Sequence, residues 1–144
     1  MALDFLSPLH KASRQLTLHL EERTRALGVS STEGHLLTFL RSYGPVPVGE
    51  LVRVFGLKQS TLTSMLDRLE RAGLLRRDTN PDDRRSFLVR LTGEGGALGD
   101  ELRRCLDELE AAIRARVGKA DVEGFRAVMA AIGEVTGVRL RKEA

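Results

Sequence analysis

The sequence predicts a mainly α-helical fold carrying one small β-hairpin. Apolar residues recur at helical spacing along most of the 144-residue chain. Between about residues 74 and 91 that period gives way to two short strand-like runs. Glycine and proline punctuate the boundaries, at Gly28, Gly44-Pro45, Gly56, Gly73 and Gly118.

The first helix follows from Phe5, Leu9, Ala12, Leu16 and Leu20, which form one stripe. Ser7-Pro8 reads as its start and Gly28 as its end. Ser30 with Glu33 makes a capping box for a second helix, which buries Leu36, Leu37, Phe39 and Leu40 and stops at Tyr43-Gly44-Pro45. Val46-Pro47-Val48 is long enough only for a bridge of strand. Gly49 to Phe55 reads as a short third helix with Leu51, Val52 and Phe55 inward, ended by Gly56. A fourth helix runs from about Gln59 to Ala72, with Leu62, Met65, Leu66 and Leu69 on one face.

Leu74–Arg77 and Ser86–Leu91 then read as paired strands. In the second, Phe87, Val89 and Leu91 share one face. The six residues from Asp78 to Asp83 are turn formers and predict a polar hairpin tip. Thr92 is placed to cap a long fifth helix whose stripe runs Leu98, Leu102, Cys105, Leu106, Leu109, Ile113, Val117. Asp121 is placed to cap a last helix carrying Phe125, Val128, Met129, Ile132 and Val135.

Composition narrows the function classes. With 42% hydrophobic and 30% charged residues the chain is ordinary for a globular protein, and it is long enough to bury a core without disulfides or metals. Only 4% aromatic residues argue against a sugar-binding or single-strand RNA platform. One cysteine permits no internal disulfide and suggests a reducing compartment. No stretch approaches a membrane span, and the first residues lack the basic region of a signal peptide, so a cytoplasmic protein is expected. Nineteen of the 23 basic residues are arginine, which suits bidentate contact with phosphate or guanine, but a GC-rich coding bias gives the same excess.

Two short helices joined by Gly56-Leu57-Lys58 and followed by a hairpin outline a winged helix-turn-helix, with a helical region at each end of the chain. The outer face of the fourth helix offers Gln59, Ser60, Thr61, Thr63, Ser64, Arg68 and Arg71. A recognition helix needs short donors and acceptors in its first turns to meet base edges, and its free N–H groups receive phosphate. Gln59 suits adenine, Thr61 a thymine methyl, and Arg68 a phosphate or guanine. The alternative for this face is an ordinary solvated surface. Arg84 and Arg85 at the hairpin tip suit a narrow minor groove, and a neighbouring aspartate can hold one guanidinium in place. Residues 45–92 contain nine arginines and lysines against six acids, a balance equal to the formal net charge of +3 for the chain.

The run Thr61 to Arg77, TLTSMLDRLERAGLLRR, resembles the recognition helix and first wing strand of the MarR (multiple antibiotic resistance) regulators. Asn80-Pro81-Asp82-Asp83-Arg84-Arg85, followed by Val89-Arg90-Leu91-Thr92-Gly93-Glu94-Gly95, resembles that family's wing and its run into the next helix. The resemblance implies a homodimeric repressor on a palindromic double-stranded operator. Residues 30–92 would be the winged DNA-binding domain, and residues 1–29 with 93–144 the dimerisation region. It also implies that Arg84 enters the minor groove while Asp83 and Arg85 pair to stiffen the tip, although the two arginines can exchange roles. Two departures stand out: Ser64 replaces an arginine that reads bases in many members, and Lys58 replaces a helix-capping Ser or Thr. Pairing is also expected physically, because the terminal stripes exceed what a module of about 50 residues can cover, and pairing would set recognition helices about 34–36 Å apart; the alternative is that the stripes pack within one subunit.

Release by a small anionic or phenolic effector is a further implication of the resemblance. Such a pocket is expected between the dimerisation helices and the winged module, with His10, Arg14, His35, Phe39 and Tyr43 as lining candidates. Cys105 reads as a small buried hydrophobe rather than a redox sensor, since resemblance to the peroxide-sensing MarR proteins would require a reactive cysteine in the first helix, and none is there. No metal site is expected: His10, His19 and His35 lack tight ligand spacing, and Asp107, Glu108 and Glu110 read as a solvated helix face. No cofactor loop or nucleophile motif suggests an enzyme. The competing reading is a winged-helix protein-interaction module without DNA binding.

Overall fold

The computed structural model describes residues 2–140. Its elements run α1 (Leu6–Ala26), α2 (Ser31–Tyr43), β1 (Val46–Pro47), α3 (Val48–Phe55), α4 (Gln59–Arg71), β2 (Leu75–Asn80), β3 (Asp83–Leu91), α5 (Gly93–Arg114) and α6 (Lys119–Thr136). The sheet is antiparallel, in the order β1-β3-β2. The expected mainly helical fold with a β wing is therefore the observed one.

The helix starts with local chemistry behave as that chemistry dictates. Ser30 Oγ accepts the Glu33 N–H at 3.1 Å, and Glu33 Oε1 accepts the Ser30 N–H at 2.9 Å, which closes the capping box of α2. Gly56 ends α3 at φ 62°, in the left-handed region that favours glycine. Thr92 Oγ accepts the Gly95 N–H at 3.1 Å and donates to the Gly73 carbonyl at 2.6 Å. One hydroxyl thus caps α5 and ties its start to the chain leaving α4.

Five details differ from the sequence expectations. α1 starts at Leu6, ahead of Ser7-Pro8, with Phe5 at the N-cap and no side-chain cap bond. Pro8 still falls in the first turn, where its missing N–H costs nothing. The hairpin is longer than the turn formers suggested. Asp78 and Thr79 join the β2 ladder, Asn80 ends it after a register shift, and only Pro81-Asp82 separate the strands. Arg90 Nε donates to Asp78 Oδ2 at 2.8 Å across the strands, and the Asn80 carboxamide accepts the Asp82 N–H at 3.0 Å. These bonds allow residues that favour turns to sit in a strand.

At the C-terminal end, α5 stops at Arg114, so Val117 lies beyond it. Gly118 is the N-cap of α6, and Asp121 accepts the Gly118 N–H at 2.8 Å from inside the first turn instead of capping it. Finally, Phe87 shares a face with Val89 but is 50% exposed, because the hairpin extends past the edge of the core.

The core lies in the middle of the chain. Leu36, Leu37, Leu51, Leu62, Leu66, Leu69, Leu75 and Val89 are fully buried, each contributing about 1.5–3 kcal/mol by leaving water. Gly95 sets how closely α5 seats: a Cβ there would stand 1.7 Å from the Leu74 carbonyl oxygen. Arg41 of α2 grips Asp100 of α5 with two bonds, at 2.7 and 3.2 Å, and holds the Asp100 carboxyl below its ordinary pKa. α6, by contrast, buries none of its residues. Among the described residues, no helix is long and apolar enough to cross a membrane.

Candidate nucleic-acid interface

α4 divides its residues by face. Leu62, Leu66 and Leu69 are buried, while Gln59, Ser60, Thr61, Thr63 and Ser64 are all exposed. No side chain caps its N-terminus, where Lys58 stands. The first-turn N–H groups are therefore not satisfied by a side-chain cap and carry the positive end of the helix dipole.

The wing rises beside this face. A groove of about 390 Å³ separates the two, lined by Gln59, Thr63, Arg77, Arg85 and Phe87 among others. The structure thus brings Gln59, Thr63 and Arg85 together. Arg84 follows the opposite phase of β3 and is exposed, as is Asp83. The Asp83 carboxylate accepts the backbone N–H of Arg85 at 3.0 Å. Among the described residues, neither the Arg84 nor the Arg85 guanidinium is paired with a carboxylate. Tip stiffening is thus a side-chain-to-backbone bond, in place of the expected ion pair, because the carboxylate turns back on the strand two residues on.

Two ionic clamps orient α4. Arg77 on β2 donates to Asp67 at 2.5 Å and to Glu70 at 3.1 Å, and its backbone N–H donates to Glu70 at 3.0 Å. Bonding to Arg77 holds the Glu70 carboxyl below its ordinary pKa. On the far side, Arg68 pairs with Glu33 of α2. Arg68, expected to reach for phosphate or guanine, thus pairs with Glu33 while half of its side chain stays exposed. Sequence reasoning missed both clamps. Glu33 was legible only as a cap, and nothing local marks Arg77 or Glu70.

The effector candidates are split between places. His35, Phe39 and Tyr43 form a row along α2, with Phe55 joining it: ring centroids lie 4.9 Å apart for His35–Phe55 and Phe39–Tyr43, and 5.7 Å for Phe39–Phe55. His10 and Arg14 are exposed on α1. A cavity of about 280 Å³ does lie between α1, α2 and α5, but of the five only His35 lines it, with Ser13, Thr17, Arg23, Thr38 and Cys105. Burial lowers the His35 imidazole pKa below its usual value, although part of the side chain reaches solvent.

Cys105 departs from expectation: it is half-buried at the cavity wall, and its sulfur accepts a bond from Arg23 Nη1 at 3.4 Å. The same guanidinium nitrogen reaches Glu108 at 3.3 Å. Among the described residues, no group of three or more His, Cys, Asp or Glu side chains could hold a metal ion.

Comparison with known proteins agrees with this architecture. Residues 29–87 match the model of the MarR family. YcgE of Bacillus subtilis (strain 168), described as an uncharacterized HTH-type transcriptional regulator, is 35% identical over 91 residues, which cover 58% of this chain and 59% of YcgE. The chain spans between about half and two thirds of the length of the first curated relatives it matches. In three dimensions, MepR of S. aureus in complex with DNA superposes with a TM-score of 0.81 at 17% identity, over 93% of this chain and 99% of MepR. NadR in complex with 4-hydroxyphenylacetate superposes with a TM-score of 0.82 at 22% identity, over 93% of this chain and 95% of NadR. The match falls on α2 to β3, the segment that builds the exposed α4 face and its wing, and over that segment the chain is similar to the MarR family.

Proposed function

We propose that the protein is a homodimeric transcriptional repressor that binds a palindromic duplex operator and is released by a small anionic or phenolic effector. The observation that carries the DNA-binding part is the exposed α4 polar face beside a groove that Arg85 of the wing also lines, with Arg84 exposed next to it in the chain. Gln59, Ser60, Thr61, Thr63 and Ser64 meet base edges in the major groove, and the N-terminus of α4 receives a phosphate. Arg84 enters the adjacent minor groove, Arg85 flanks it, and Asp83 holds the tip by its bond to the Arg85 N–H. MepR, which shares the fold, forms a complex with DNA.

Dimerisation is supported by what the subunit leaves uncovered. Phe5, Leu6, Leu16, Ile113, Phe125 and Val135 are all exposed on α1, α5 and α6. A space of about 880 Å³ opens between α1 and the α5–α6 corner, lined by Leu9, Leu16, Ile113 and Phe125. A second copy would cover this apolar surface, making residues 30–92 the reading head and the flanking helices the dimer base. The last four residues of that base, 141–144, lie outside the described part of the chain. The cavity between α1, α2 and α5 suits a small ligand. Arg23 and His35 supply polar contacts, and NadR, of the same fold, binds 4-hydroxyphenylacetate.

The test is binding of the purified protein to the duplex upstream of its own gene. Specific binding should weaken steeply with salt, since several phosphates are neutralised. Arg84→Ala and Arg85→Ala should each reduce affinity at least tenfold, roughly the worth of one good groove contact. Salt-independent binding, or variants as tight as wild type, would reject the reading in favour of a protein-interaction module.

A further inference from the structure

Glu33 uses its two carboxylate oxygens separately. Oε1 accepts the Ser30 N–H and closes the capping box. Oε2 is buried and is paired with the Arg68 guanidinium. The Glu33 side chain is only 8% exposed. A capping box needs one oxygen, and glutamine supplies it equally well. The cap therefore does not account for a buried negative charge, which is costly unless a cation lies beside it. Arg68, from the helix that carries the DNA-facing residues, is that cation.

The same first turn of α2 has a second neighbour. Ser31, Gly34 and His35 wall the cavity between α1, α2 and α5. A Cβ on Gly34 would stand 3.0 Å from Thr24 Cγ2 and 3.5 Å from Leu102 Cδ1, so this turn is seated tightly on α1 and α5. Glu33, paired with Arg68, lies in this same turn.

Resting on the DNA-binding reading above, we infer that Glu33 and Arg68 are positioning residues for DNA recognition. Their ion pair sets the angle of α4 on α2 and passes movements of the cavity wall to α4. Arg68 acts on DNA through Glu33 and does not touch it.

Equilibrium binding to the upstream duplex tests this with wild type, Glu33→Gln, Arg68→Gln, the double variant and Arg68→Lys. Glu33→Gln keeps the cap, and thermal melts identify the temperature at which every variant is folded. Glu33→Gln and Arg68→Gln should each raise Kd about tenfold, within the usual range for coupled sites. The double variant should be no weaker than either single one. Arg68→Lys should stay near wild type, and the slope of affinity with salt should not change. Gly34→Ala should weaken binding in the wild-type background and have no further effect beside Glu33→Gln. If Glu33→Gln binds as tightly as wild type while Arg68→Gln binds weakly with a shallower salt slope, Arg68 contacts phosphate and the inference is overturned. Additive effects in the double variant, or an equal Gly34→Ala effect in both backgrounds, overturn it as well. Wild-type protein that does not bind duplex overturns the DNA-binding reading and this inference together.

Discussion

Arg77 holds Glu70 twice, through its guanidinium at 3.1 Å and through its backbone N–H at 3.0 Å. The bond fastens the last turns of α4 to the first strand of the wing, so the exposed α4 face and the wing keep one relative orientation. Because Arg77 lowers the Glu70 pKa, the unfolded chain takes up that proton more readily than the folded one. The contribution is complete above the ordinary carboxyl value of 4.5 and is lost as pH falls through the lower folded value. Melting curves should therefore show wild type losing more stability than Arg77→Gln below pH 4.5. The pair is partly solvent-exposed, so the difference at neutral pH should be at most about 1 kcal/mol. Parallel pH profiles for the two proteins would refute the assignment.

The two faces of α4 should separate stability from recognition. Leu66→Ala empties a fully buried position and should cost about 2–5 kcal/mol in urea unfolding. Thr63→Ala, on the exposed face, should change stability by less than about 0.5 kcal/mol yet weaken operator binding. A stability loss for Thr63→Ala comparable to that of Leu66→Ala would place that face in the core.

Neighbouring glycines at the start of α5 should respond oppositely to alanine. At Gly95 the new Cβ meets the backbone oxygen of Leu74, which cannot rotate aside, so the junction of wing and helix must open. A loss of several kcal/mol is expected, as for other overpacked sites. At Gly96 nothing lies within 4 Å, and alanine should be neutral or stabilise the helix by up to about 1 kcal/mol. Calorimetric melts of the two variants check the contrast, which disappears if both behave alike.

Phe125→Glu tests the dimer. Phe125 is 60% exposed on α6 and lines the open space facing α1. A carboxylate there should leave the subunit fold intact and shift sedimentation velocity from dimer to monomer. Operator affinity should fall with it, since each half-site would then be bound alone. A variant that stays dimeric would put the interface elsewhere, and a monomeric wild type would reject pairing.

Features whose causes lie within a few residues of one another are legible in the linear chain. Ser30 with Glu33 announced α2, Gly56 closed α3, Thr92 opened α5, and the spacing of Leu62, Leu66 and Leu69 told the inner face of α4 from its outer one. Caps and periodicity act through bonds to the nearest backbone and through the pitch of the helix, so a linear text records them. Which distant groups meet depends on the packing of the folded chain. Arg68 turned to Glu33, 35 positions away, and Asp78 and Thr79 became strand because β3 lay alongside. Phe87 and α6 kept their apolar surface because the single subunit has nothing to lay over it. Charge pairing and burial depend on proximity in space, and proximity is set by how the whole core packs.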